Sequence, residues 1–307
     1  MGAAISGLEA QQTMLNTTAS NLANVDTVGY KSQETSFVDA LSQTIAGGSN
    51  QTAANAGTDP EQVGLGVSVG AIVNNMGQGS DQATGIATDL AIQGNGFFQV
   101  AASTSATGGA TTNNPAAGPP PPANGPVLDP TQIEYTRAGN FQVSPNGYLT
   151  TQGGQYVVGI PADPTSGAPV NPTNASGQNT QGSLPIQIPS DASDIAIGKN
   201  GEVTYSQAGT QKVAGYIQLA NFNNDAGLSR DGGSLWSATT ASGQAQTFDV
   251  PGGSGLGSVA SGELESSNVD MATEFANMID AQNGYQADSK VMTTANQMLQ
   301  TLVQMPA

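Results

Sequence analysis

Residues 268–304 read NVDMATEFANMIDAQNGYQADSKVMTTANQMLQTLVQ. Within them Met271, Phe275, Met278, Gln282, Tyr285, Ser289, Met292, Asn296, Leu299 and Val303 recur at alternating four-and-three spacing. That rhythm keeps one line of side chains along one side of a helix about 55 Å long at 1.5 Å per residue. The opposite end of the chain carries the same rhythm in Met1, Ile5, Leu8, Gln12, Leu15, Ala19 and Leu22. A helical stripe commonly packs on its own domain. Here the stripes stand at the two ends, and the C-terminal helix is longer than a compact body readily covers. Gln282, Ser289 and Asn296 weaken a two-stranded coil but set register among more helices. The ends therefore predict a subunit made to assemble. Its candidate interface residues are Ile5, Leu8, Leu15, Leu22, Phe275, Met278, Tyr285, Met292, Leu299, Leu302 and Val303.

Between the ends the pattern is strand and turn. Asn24-Val25-Asp26-Thr27-Val28-Gly29-Tyr30 breaks the first helix with turn formers. A second short helix is predicted over 35–46 from Phe37, Leu41 and Ile45, closed by Gly47-Gly48. β character begins near Val63. Asp89–Gln93, Gly94-Asn95-Gly96 and Phe97–Val100 read as strand, turn, strand. Asn146-Gly147 and Asn200-Gly201 mark two tight hairpins, and Val213–Phe222 alternates as a strand. Residues 48–60, 101–126, 161–183 and 241–257 read as loops; 101–126 and 161–183 are low-complexity, with four prolines at 119–122. The expected organisation is α+β. Residues 1–46 and 262–307 form a terminal helical assembly domain, and 63–260 form a mainly β domain.

Composition narrows the function. Charged residues make up 9% of the 307 residues, against about 25% in ordinary soluble domains. Net charge is −17, with Lys31, Arg137, Lys199, Lys212, Arg230 and Lys290 the six basic residues. No basic patch exists to neutralise phosphates, so neither nucleic acid nor an anionic membrane surface is an expected partner. The absence of Cys and His removes disulfides, thiolate zinc sites and His-based triads. Acidic residues are scattered, and Trp236 is the sole Trp in a chain with 5% aromatics, which argues against a sugar-cleaving carboxylate pair. Gly94-Asn95-Gly96 lacks the frame of a nucleotide loop, and Asn223–Gly227 lacks that of a calcium loop. No catalytic residue, cofactor or metal is expected. Residues 1–24 have no charged leader and no continuous apolar run, so a cleaved signal peptide and membrane insertion are not expected.

Four blocks carry a resemblance. Asn21-Leu22-Ala23-Asn24-Val25-Asp26-Thr27-Val28-Gly29-Tyr30-Lys31 resembles the N-terminal signature of bacterial flagellar rod and hook proteins. Asp89–Phe98 and Tyr135-Thr136-Arg137-Ala138-Gly139-Asn140-Phe141 resemble their central signatures. Ser261–Asp270 with Ala281–Gln286 resembles the C-terminal one, although Asn283-Gly284 stands where Arg-Ala or Arg-Asn is common. The resemblance adds Asn24, Gly29 and Tyr30 to the assembly candidates. It implies paired terminal helices lining a tube, a β-rich outer wall, and export through the flagellar type III apparatus. Implied partners are further copies of the chain, neighbouring rod proteins, a hook cap and hook–filament junction proteins. Val63–Val69 and Ser267–Asp270 look hook-like, so the expectation is a hook subunit forming a flexible joint. The distal rod is the alternative; a secreted adhesin-like module is a remoter one.

Overall fold

The computed structural model describes residues 2–48, 57, 59–104, 127–162, 184–189, 191–207, 209–245, 247–253 and 255–304. The chain divides into two compact units. A terminal unit comprises residues 1–25, 32–75 and 269–307; a body unit comprises 26–31 and 76–268.

The terminal unit begins with α1 (Gly2–Ala23). It continues through β1 (Gln33–Asp39), β2 (Ser42–Ala46), β3 (Glu61–Gly64) and β4 (Val67–Asn74). β1 pairs antiparallel with β4 and β2 with β3, so the four strands run as a two-stranded ribbon. The helix predicted over 35–46 is therefore strand. A spacing of four is even, so Phe37, Leu41 and Ile45 satisfy the two-residue period of a strand as well as a helical face. β-branched Thr35, Val38, Thr44 and Ile45, with a Val-rich partner at 67–74, decide for the ribbon.

The body unit holds β5 (Asp81–Ala83), β6 (Leu90–Gln93), β7 (Phe97–Thr104), β8 (Val127–Thr136), β9 (Gln142–Val143) and β10 (Leu149–Thr150). There follow β11 (Tyr156–Pro161), β12 (Leu184–Pro185), β13 (Ser193–Ile197), β14 (Glu202–Gln207), β15 (Thr210–Ile217) and β16 (Leu219–Asn221). The last are β17 (Ser229–Gly232), β18 (Leu235–Ser237), β19 (Thr247–Asp249), β20 (Ser258–Ser261) and β21 (Glu263–Glu265). The chain then enters α2 (Met271–Val303) of the terminal unit.

A large antiparallel sheet runs β13-β14-β15-β11-β7-β8-β18-β17. Gly147 and Gly201 take the positive φ values (79° and 72°) that the two Asn-Gly turns require. Residues 101–104 continue β7 rather than opening the insert, and β19 interrupts the stretch read as loop at 241–257. The remainder of the Pro-rich stretch (105–126) and residues 163–183 lie outside the described residues, as do 49–56 and 58 of the loop expected at 48–60.

Adjacent Phe97 and Phe98 project to opposite faces of β7 and seed separate clusters. Phe98 packs with Leu90, Val100, Phe141, Leu149 and Ile217. Phe97 packs with Tyr135, Phe222, Leu228 and Trp236. Edge-to-face ring contacts tie each cluster, Phe98 to Phe141 at 5.1 Å and Tyr135 to Phe222 at 4.8 Å.

Candidate assembly interface

The two helices pair antiparallel within the terminal unit, and three contacts fix their register. A Cβ on Gly7 would lie 2.4 Å from Asp288 Oδ2, and one on Gly284 would lie 2.8 Å from Gln11 Nε2. Asn21 Nδ2 donates to Glu274 Oε1 at 2.8 Å. α2 starts where Asp270 caps it, its side chain accepting from the Ala272 N–H.

The side chains that meet are small or polar. Ala4, Gly7, Ala10, Thr17, Thr18 and Asn21 are buried on α1, and Ala281 on α2. The seam on α1 runs through Ala4, Gly7, Gln11, Met14, Thr18 and Asn21, one position before the apolar series read from the sequence. On α2 it runs through Glu274, Asn277, Ala281, Gly284 and Asp288, again one position earlier. One residue is about 100° of helix rotation. Gly284, which costs roughly 1 kcal/mol of helix propensity relative to Ala, is thus where the Gln11 side chain rests on α2. A hydrophobic-period reading misses this seam because Gly, Ala, Thr and Asn carry little apolar weight. The available signal was their own three-and-four spacing.

The large apolar residues flank that seam instead. On α1, Ile5 is exposed, and Leu8, Leu15 and Leu22 are half-buried. On α2, Phe275, Tyr285, Leu299, Leu302 and Val303 are exposed, and Met278 and Met292 are half-buried. The register places residue 2 of α1 level with residue 293 of α2, so the last turns of α2 continue past α1. Those turns carry Met298, Leu299, Leu302 and Val303, the last 86% exposed.

The ribbon adds a further apolar surface. Its root is held on α1 by Thr17 Oγ1 against Thr35 Oγ1 at 2.7 Å and by Asn21, which accepts from the Gln33 N–H and donates to the Gln33 carbonyl. Its outer part, β2 with β3, is exposed at every residue. Leu41 and Leu65 flank it, 82% and 53% exposed.

Asn24, Gly29 and Tyr30 make contacts within the chain. Asn24 closes α1, its Nδ2 donating to the Ser20 carbonyl at 2.8 Å. Gly29 and Tyr30 are buried in the body unit, inside a cluster that sequence reasoning did not anticipate. At its centre Glu265, fully buried, accepts from Lys31 Nζ at 2.6 Å through Oε1 and lies 3.5 Å from Arg137 Nη1 through Oε2. The Gly79 N–H also donates to Glu265 Oε1, and Lys31 donates to the Gly77 carbonyl. Gly29 donates its N–H to the Glu265 carbonyl, and Asn268 donates to the Tyr30 carbonyl. Arg230 covers the Tyr30 ring at 4.5 Å and the Trp236 ring at 5.0 Å, and its Nη2 reaches the Lys31 carbonyl. Burial pushes the Lys31 ammonium below its usual range while the Glu265 carboxylate pulls it back up. Lys31, Arg137 and Glu265 come from three separate signature blocks, so those blocks meet at one buried ion cluster. The signal was scarcity: three of the chain's six basic residues gather here.

Gly29 has φ +66°, and a Cβ there would lie 2.6 Å from the Ala138 nitrogen. Gly29→Ala is expected to cost more than the roughly 1–2 kcal/mol of left-handed strain. Gly85→Ala, at φ +73° with nothing within 4 Å, should cost the strain alone. Urea midpoints of the two variants measure the difference; equal midpoints would show that the Gly29 contact is soft.

Among the described residues no group of acidic side chains is arranged to hold a metal ion, and no helix is long and apolar enough to cross a membrane. Residues 1–31 match the family model for flagella basal body rod proteins. Residues 126–205 match the flagellar hook protein FlgE/F/G D1 domain, and 260–305 match the flagellar basal body rod FlgEFG protein C-terminal region. The chain is 36% identical to the flagellar basal-body rod protein FlgG of Bacillus subtilis over 97% of its own length and 96% of the relative's. It is 34% identical to FlgG of Caulobacter vibrioides over 98% and 97%. The flagellar hook protein FlgE of Borreliella burgdorferi is 27% identical, over 98% of both chains. Three family models in chain order, with full-length relatives above 30% identity, show that the chain belongs to the FlgE/F/G family of flagellar rod and hook proteins, non-enzymatic structural subunits of the axial part of the bacterial flagellum.

Proposed function

We propose that this chain is the distal rod subunit, a member of the rigid drive shaft, rather than the hook subunit that its hook-like segments suggest on sequence alone. Support comes from the relatives. Those named rod FlgG align along nearly their whole length, whereas the hook alignment runs to 434 positions, well beyond this chain's 307 residues. A large stretch of that hook protein has no counterpart here.

The observation that carries self-assembly is the split of each terminal helix into two faces. The small-residue face pairs α1 with α2, and the larger apolar residues stay free for other copies. A contact surface that does not close on itself generates a helical array. The intrachain seam buries little apolar area, while ordering a residue costs about 1–2 kcal/mol in backbone entropy. The terminal unit of a lone subunit is therefore weakly held, and incorporation drives its ordering. A loosely held terminus also suits passage through a narrow type III export channel. Rod neighbours, hook-cap and junction proteins are the partners this reading assigns.

Electron microscopy of the purified chain at rising concentration tests the reading. Short straight tubes are expected; curved tubes would return the chain to the hook, and monomeric protein with fully helical ends would refute coupled ordering. The terminal unit carries nine acidic residues and one basic residue, Lys290. Copies therefore repel through exposed charges that salt screens beyond about 8 Å at physiological strength. Polymer yield should rise with sodium chloride, and light scattering indifferent to salt would count against this contact surface.

A further inference from the structure

The chain has no Cys and no His, and its single Trp, Trp236, is 1% exposed. Its readily oxidised groups are therefore thioethers. Among the described residues, four methionines lie on α2: Met271, Met278, Met292 and Met298. Met271 and Met298 are 52% and 62% exposed, and Met278 and Met292 are half-buried. Met271, Met278, Tyr285 and Met292 follow at seven-residue intervals, so they lie along one flank of the helix beside the seam with α1.

We propose that these methionines form an oxidation site, at which a two-electron oxidant such as hydrogen peroxide converts the free subunit into a form that cannot associate. The sulfur lone pair attacks one peroxide oxygen and the O–O bond breaks. That oxygen stays on sulfur as the sulfoxide, and the other leaves as water. Sulfur is oxidised by two electrons and peroxide is reduced by two. The product places a strong hydrogen-bond acceptor on a flexible side chain that had been apolar. On a face that copies must bury, that oxygen loses water without gaining a donor. The flank offers it little: Tyr285 supplies one hydroxyl, and Lys290 is the one cation of the helix. Once copies cover α2, the same sulfurs are shielded from the oxidant. The inference rests on the self-association proposed above.

The test treats the full chain with hydrogen peroxide before and after association. Peptide mass mapping follows oxygen uptake, and light scattering follows association. Met271 and Met298 are expected to oxidise ahead of Met76, which packs on the body cluster, and association should fall at least tenfold. Methionine sulfoxide reductases should restore it, and associated protein should oxidise at least tenfold more slowly. The Met271→Leu, Met278→Leu, Met292→Leu, Met298→Leu variant keeps the helix and should associate normally after peroxide. Oxidation that begins at Met76, or complete sulfoxide formation on α2 with association unchanged, overturns the proposal. Failure of the untreated chain to associate counts against the assembly reading instead, and the order of oxidation still decides whether α2 is the site.

Discussion

Glu265→Ala is expected to bring the body unit close to unfolding, at a cost of about 3–5 kcal/mol. The reason is asymmetry. The carboxylate is fully buried and balances Lys31 and Arg137, themselves 1% and 4% exposed. Deleting it leaves two cations in a place where water cannot reach them and removes the acceptor of the Gly79 N–H. A domain of ordinary stability has about 5–15 kcal/mol to lose. Trp236, buried in the same unit, reports the transition by its fluorescence in urea. Lys31→Met combined with Glu265→Leu should recover only part of the loss: one buried cation leaves with the carboxylate and the replacements fill the space, but Arg137 still lacks its partner. A single variant within about 1 kcal/mol of the parent would mean that the cluster is solvated or dispensable.

Leu299→Asp is expected to abolish polymer formation while leaving the free subunit's unfolding midpoint in place. Leu299 is 50% exposed on a part of α2 that continues past α1, so the isolated chain loses little packing. In the polymer the carboxylate is buried against another copy of a chain with net charge −17. An uncompensated buried charge costs several kcal/mol, and each 1.4 kcal/mol is a tenfold change in affinity. A loss of association of about a hundredfold or more follows. Sedimentation velocity measures it, with circular dichroism as the control on folding. Ala281→Asp makes the complementary case. Ala281 is fully buried in the helix pair, so its replacement should block association by preventing α1 and α2 from pairing rather than by spoiling the outer face. Normal polymer from Leu299→Asp would remove the outer apolar face from the assembly argument.

The contrast between Leu299 and Ala281 shows what was legible in the sequence. Large apolar residues announce a helical stripe, and that stripe correctly places both terminal helices and their tendency to pair. It does not say which partner the stripe meets. Ala, Gly, Thr and Asn form the intrachain seam one position away, and a hydrophobicity reading passes over them. Residues 35–46 fail differently, because an i, i+4, i+8 series belongs to both periods and only the long-range pairing with 67–74 chooses between them. The Asn-Gly turns were legible because positive φ demands specific residues. The Lys31–Glu265–Arg137 cluster was not, since its members stand 234 and 128 residues apart and no local rule joins them.

The antiparallel pairing of α1 with α2 sets an order of events. Asn21 and Glu274 are 253 residues apart along the chain. If the chain is passed N-terminus first through the export channel proposed above, α1 arrives long before its mate. α1 must then wait, unpaired, until the final helix has emerged. The body unit can close in the meantime, since its own pairings lie within residues 26–268. A subunit interrupted before α2 has a finished body and a solitary first helix, and cannot form the helix pair. The pairing thus ties closure of the terminal unit to the presence of the chain's final helix.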